Sequence, residues 1–203
     1  MRKPRILWYI FHPNFAQSRG NKIIYDAVRS VQGVTFRFAY QEFPDGKIDA
    51  KIEQDLLSSH DLIVFQHPFY WYSAPALLRQ WQDAVLGYGF AYPPSVGKAL
   101  HGKHCLSVVT TGGPQWAYAS GGSNNFTISE LLRPFQQTAN MCGMRWLSPF
   151  VVHGVLPGDF EGLKATPDTQ IKEFAQSLRT CVENYDLDAR PALEPVVSRY
   201  SIV

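Results

Sequence analysis

Apolar runs and amphipathic stretches alternate along the chain in five strand-then-helix units. Ile6 to Phe11 is a continuous apolar run, as expected of a strand covered on both faces. Asn21 to Val31 then sets Ile24, Ala27, Val28 and Val31 on one helical face. Val34, Phe36 and Phe38 alternate with Thr35 and Arg37, the pattern of an edge strand. Asp49 to Ser59 reads as a polar helix with Ile52, Leu56 and Leu57 turned inward. Leu62 to Gln66 is a second buried strand, and Pro75 can open a helix that runs to Leu86. Cys105 to Val109 is a third buried strand. Thr127 and Glu130 have capping-box spacing and start a helix that stops near Gly143. Trp146 to Val152 is a fifth strand, interrupted by Pro149. Thr166-Pro167 opens a last helix to about Tyr185. Residues 1–186 form the predicted domain. The tail, 187–203, has no clear period and is expected to be an extended arm or partly disordered.

Five such units predict an α/β three-layer sandwich, with a parallel sheet between two helical layers. A dinucleotide-binding fold would carry GxGxxG after its first strand, and a nucleotide triphosphatase a Walker A loop. Neither is present. The flavodoxin-like strand order 2-1-3-4-5 is therefore preferred, with ligands beyond the carboxyl ends of the strands.

Composition narrows the picture. Hydrophobic residues make up 45% of the 203 residues and charged ones 18%, which fits a folded globular chain. The net charge is only +2 and no Lys/Arg block stands out, so a nucleic-acid partner is not implied. Cys105, Cys142 and Cys181 form neither a CxxC pair nor a zinc pattern. No signal-type or membrane-spanning run appears, so a cytoplasmic location is expected.

Three strand-end loops hold the candidate chemistry. The first, His12 to Asn21, carries Ser18, Arg19, Gly20 and Asn21. Backbone N–H groups at a helix start favour an anion, and Ser18 and Asn21 can add side-chain donors. The alternative is that Ser18 only caps the helix. The second holds Pro68, Phe69, Tyr70, Trp71 and Tyr72. Consecutive aromatics cannot all face a core, so they suggest a wall for a flat ring or a dimer surface. The third, Thr110-Thr111-Gly112-Gly113, lets backbone approach a ligand closely, or is a tight turn. Together they describe a phosphate at one end and a flat polar ring at the other. Flavin mononucleotide (FMN) has those parts. His12, His67 and His153 each invite a catalytic reading, but His12 and His67 precede Pro at strand ends and read as structural or ligand-contact residues rather than acid-base groups, and no third ligand points to a metal.

The string His12-Pro…Ser18-Arg-x-Asn21, His67-Pro-Phe-Tyr-Trp-Tyr-Ser-x-Pro75, Gly89-Phe-Ala-Tyr92, Leu100-x-Gly-Lys103, Thr110-Thr-Gly-Gly113, Leu132-Arg-Pro-Phe-x-Gln-Thr-Ala139 and Cys142-Gly-Met-x-Trp146 resembles the flavodoxin-like NAD(P)H:quinone oxidoreductases. Within them it is most similar to the ancillary subunits of bacterial glutathione-gated potassium-efflux systems. The resemblance spans about residues 6 to 155. It implies a homodimer with two flavin sites and two-electron reduction of a quinone-like acceptor by NAD(P)H through one site. It further implies FMN rather than FAD, with an inner-membrane potassium-efflux antiporter as the alternative partner. It assigns His12, Ser18, Arg19, Gly20 and Asn21 to phosphate and ribityl, Pro68 to Tyr72 to the ring, and Thr110 to Gly113 to its other edge. Tyr118 falls at the position of a catalytic Tyr proposed to steady charge on the reduced ring; the alternative is that it packs over the pocket mouth. Asn124 stands where the longer animal enzymes have a His. Two further readings stay open: a flavin-holding regulatory subunit, and a flavin-free phosphate-binding domain.

Overall fold

The computed structural model describes residues 3–93, 95–156, 159–160 and 163–188. Of the tail expected at 187–203, all but Leu187 and Asp188 lies outside the described residues. The central sheet has the order β2-β1-β3-β4-β5, formed by Val34–Phe38, Ile6–Ile10, Leu62–Pro68, His104–Thr110 and Arg145–Trp146. A sixth strand, β6 (Phe150–Val152), also pairs with β4. All of these pairings are parallel.

The apolar runs explain why β1, β3 and β4 lie inside. Every residue of the three is buried. Side chains alternate across a pleated strand. Ile6, Trp8 and Ile10 therefore face α1 (Arg19–Val28) and α7 (Asp168–Glu183), while Leu7 and Tyr9 face the opposite layer. That layer is built by α3 (Ala50–Ser59), α4 (Ala76–Val85) and α6 (Arg133–Met141). A four-residue α2 (Ala39–Glu42) follows β2, and α5 (Ile128–Leu131) precedes α6.

Two predicted elements are each divided by a proline. The fifth strand becomes β5 and β6 because Pro149 has no N–H to give β4. The predicted helix after Thr127 becomes α5 and α6, with Pro134 in the first turn of α6. Its capping box forms as the spacing requires: the Thr127 hydroxyl accepts from the Glu130 N–H at 3.2 Å, and the Thr127 N–H donates to Glu130 Oε2 at 2.8 Å. A small hairpin, β7 (Asp159–Phe160) with β8 (Leu163–Lys164), was not visible in the pattern.

The α3 face is corrected. Ile52, expected inward, is 54% exposed, and Glu53 is buried in its place. The reason is a set of donors waiting in the core. Tyr9 Oη donates to Glu53 Oε2 at 2.6 Å, Trp81 Nε1 donates to the same oxygen at 2.9 Å, and Arg37 Nη2 donates to Oε1 at 2.9 Å. A buried carboxylate with three donors is stable where an unpaired one is not.

Candidate functional site

The carboxyl ends of β1, β3, β4 and β6 converge on a cleft of about 470 Å³, a size typical of small-molecule sites. His12, Ser18, Arg19, Gly20 and Asn21 line one side of it. Pro68, Phe69 and Tyr70 line a second side, and Thr110 and Gly112 the floor. The three loops named from the sequence thus meet in one place.

The first loop ends at the α1 N-terminus. Ser18 occupies the N-cap position, yet its side chain makes no cap hydrogen bond. The first N–H groups of α1 are therefore left without a side-chain acceptor and are available to an anion. Gly20 is required by space: a Cβ there would lie 2.8 Å from Val155 Cγ1 and 3.3 Å from Thr110 Cγ2.

Asn21 departs from its expected role as a ligand donor. It is buried, and its Nδ2 donates to Ser18 Oγ at 3.1 Å and to Thr110 Oγ1 at 2.9 Å. Its amide is spent on two hydroxyls of the cleft wall. Arg19 is partly committed too: Nε donates to Asp168 Oδ1 at 2.6 Å and Nη2 to the Thr166 carbonyl. Its Nη1 is buried with no acceptor. An unpaired donor, uncapped helical N–H groups and two hydroxyls at one end of a cleft suit a phosphate, which only accepts.

His12 Nδ1 accepts from the Asn14 N–H at 3.1 Å, and burial lowers its pKa. The ring is thereby held neutral with its proton on Nε2, a donor rather than a cation. His67 is buried completely and stacks on Phe135; burial brings its pKa to about 4. His153, likewise lowered by burial to about 4, bonds the Thr111 hydroxyl at 3.0 Å, which donates to the Gly113 carbonyl at 2.8 Å. Thr111 therefore braces its loop from behind. Backbone bonds from Thr111 to Val152, Gly154 to Gly113 and Val155 to Thr111 complete the brace.

The aromatic loop divides. Phe69 is buried with its ring 5.9 Å from that of Tyr118. Tyr70 lines the cleft. Trp71 and Tyr72, expected on the ring, are not among its lining residues. Trp71 is 92% exposed, and both hold positive φ, 48° and 59°. The Tyr72 hydroxyl donates to Asn124 Oδ1 at 3.1 Å, tying this loop to the one that follows β4.

A second cleft of about 250 Å³ opens beyond Gly112 and Leu156, which border both. Gly113, Trp116, Tyr118, Asn124 and Lys164 are among its lining. Burial raises the Tyr118 phenol pKa, so it stays protonated and can donate. Val155 and Leu156 were missed by sequence reasoning. The rule that ligands gather at strand ends applies to β6 as it does to β1, β3 and β4, and would have found them.

A family model described as "Flavodoxin-like fold" matches residues 4–178. The glutathione-regulated potassium-efflux system ancillary protein KefG of Yersinia enterocolitica is 44% identical over 150 residues, 74% of this chain and 81% of that one. The crystal structure of general stress protein 14 from Treponema denticola, in complex with FMN, superposes with a TM-score of 0.79 at 35% identity, covering 89% of this chain and 98% of that one. An NADPH-quinone reductase from P. pentosaceus superposes with a TM-score of 0.75 at 33% identity, covering 90% and 99%.

Proposed function

The chain belongs to the flavodoxin-like family, and from that premise we propose that it reduces quinone-like acceptors with NAD(P)H through bound FMN. The observation that carries this reading is the single cleft on which the three strand-end loops close, with anion donors at one end and aromatic rings at the other. The FMN complex of one similar structure and the reductase name of another support it.

Flavin, when bound, supplies the two-electron chemistry; the protein supplies position and field. In this reading the α1 N–H groups and Ser18 would hold the phosphate, joined by Thr110, which was expected at the ring's edge but bonds Asn21 beside Ser18. Phe69, Tyr70 and Gly112 line the rest of the cleft and would receive the ring system. Tyr118 stands at the second cleft as a neutral donor toward charge that develops there. Its phenol needs no partner residue at 124, so the exchange of His for Asn124 leaves that donor in place. The second cleft, which Tyr118 lines beside Gly112, would take the nicotinamide and the acceptor in turn.

The test is an anaerobic titration. The protein reconstituted with FMN should lose its visible flavin absorbance on adding NADPH or NADH and regain it with menadione. A protein that acquires no flavin absorbance, or whose flavin is untouched by both nucleotides, overturns the reading.

The 44% identity to KefG favours a second reading, a flavin-holding ancillary subunit of a potassium-efflux antiporter. Co-purification with such an antiporter from membranes supports it; recovery of the chain free of any transporter counts against it. We also read the chain as a homodimer, because Trp71, Trp116 and Phe126 stand more than half exposed around the Tyr72–Asn124 contact.

A further inference from the structure

We propose that Trp8 and Gln66 are positioning residues that fix the hydrogen-bond polarity of the phosphate end of the cleft. The proposal rests on the flavin reading above but concerns residues that touch no ligand.

The argument follows one chain of bonds from the core to the cleft. Trp8 on β1 has an indole N–H, which can only donate. It donates to Gln66 Oε1 on β3 at 2.9 Å. The Gln66 amide is thereby turned so that Nε2 points the other way. There it donates to the Asn21 backbone carbonyl at 2.8 Å, a group that can only accept. The two anchors agree, so the orientation of this amide is determined twice. Gln66 Nε2 also donates to Asn21 Oδ1 at 3.2 Å. This turns the Asn21 amide in its turn, leaving Nδ2 to face Ser18 Oγ and Thr110 Oγ1.

Both hydroxyls now accept from Asn21. A hydroxyl has one proton, and with an amide donor on its oxygen that proton is free for another acceptor. Ser18 and Thr110 both line the cleft. The relay thus presents two O–H donors, beside the α1 N–H groups, to whatever lies there. If either amide were reversed, Ser18 and Thr110 would donate inward and turn lone pairs toward the ligand, repelling a phosphate. Trp8, Gln66, Asn21 and Thr110 are all buried, so water cannot take over the bonds among these four.

The discriminating measurement compares FMN with riboflavin, which has the same ring and lacks the phosphate. Gln66→Met fills similar space and cannot hold Asn21. It should weaken FMN about tenfold, roughly the worth of one hydrogen bond to a charged group, and leave riboflavin affinity unchanged. The ³¹P resonance of bound FMN should shift in the variant. In a Ser18→Ala/Thr110→Val background the same Gln66→Met change should cost FMN little, because the hydroxyls through which it acts are gone. Trp8→Phe, which loses only the first donor, should lower the FMN-to-riboflavin affinity ratio in the same direction. It carries the test if Gln66→Met does not fold.

Equal loss of FMN and riboflavin, or full additivity in the cycle, overturns the proposal. If the wild-type chain takes up neither flavin, the functional reading fails first, and inorganic phosphate then tests the relay by ³¹P line broadening. Phosphate binding lost in Gln66→Met would sustain the relay. No phosphate binding in the wild type would end it.

Discussion

At the scale of single residues, polar groups inside apolar elements decide most. Glu53 ties Tyr9, Trp81 and Arg37 together in the core. Glu53→Ala strands the Tyr9 and Trp81 donors and takes one of two carboxylate partners from Arg37, which keeps Glu42, and should cost about 3 kcal/mol, the usual loss when one partner of a buried pair is removed. Urea unfolding of the variant checks this; a loss under about 1 kcal/mol would contradict it. His67 gives a pH signature. Its folded pKa, about 4, lies below the ordinary value of 6.5. The unfolded chain therefore binds the proton first as pH falls, and stability drops from pH 6.5 toward pH 4. The slope from this group is up to about 1.4 kcal/mol per pH unit. His67→Gln should flatten the profile in that window by one proton, as read from unfolding free energies at pH 7 and 5. Tyr118→Phe should slow turnover with a quinone roughly fivefold, about one hydrogen bond, and leave FMN affinity unchanged. A loss of FMN affinity instead would make Tyr118 a packing residue.

The same scale shows what the sequence could not supply. The loop itself was legible as one side of a cleft, because Ser, Gly and Asn ahead of an amphipathic stretch mark a helix start at the carboxyl end of a strand. The fate of Asn21 was not, since its amide is consumed by Gln66, Ser18 and Thr110 from three different segments. The available signal was a glutamine at the end of the apolar run 62–66. A polar side chain in a buried strand must find partners. Ile52 misled for the related reason that helical periodicity counts apolar residues and overlooks a carboxylate whose donors lie on other elements.

At the scale of elements, β1, β3 and β4 were readable to within two residues, because burial on both faces leaves a mostly apolar run in which Gln66, His67 and Ser107 are the buried polar exceptions. Boundaries moved where a proline removed a donor, as at Pro149 and Pro134. The loop after β3 was read correctly as aromatic but not for its backbone. Trp71 holds φ 48° and ψ 50° with its side chain 92% exposed. A non-glycine residue in the left-handed region costs about 1 kcal/mol, and an exposed indole returns little packing to offset it. Trp71→Gly should therefore leave the monomer as stable or more stable by up to about 1 kcal/mol. Chemical unfolding at dilute protein measures this. A clear loss of stability would mean that the indole packs within its own chain.

At the scale of the whole molecule, that strain and exposure acquire a purpose only if something covers the loop. Tyr72 joins it to the loop after β4 through Asn124, and Trp116 and Phe126 flank the junction, each about half exposed. Both cleft-forming loops thus carry aromatic surface outward, next to the proposed ring site. A second copy of the chain placed there would bury the aromatics and close the cleft together, so assembly and flavin binding should be linked. Mass action then makes a definite demand: the thermal midpoint should rise with protein concentration, because association stabilises only the folded chain. FMN should shift the association equilibrium further toward the dimer, and by linkage a more concentrated protein should bind FMN more tightly. Trp71→Ser should abolish the concentration dependence and weaken FMN binding, leaving the monomer folded. Light scattering at several concentrations, with and without FMN, reads both effects. A monomer at every concentration, or a dimer indifferent to Trp71→Ser, would place the interface elsewhere on the molecule.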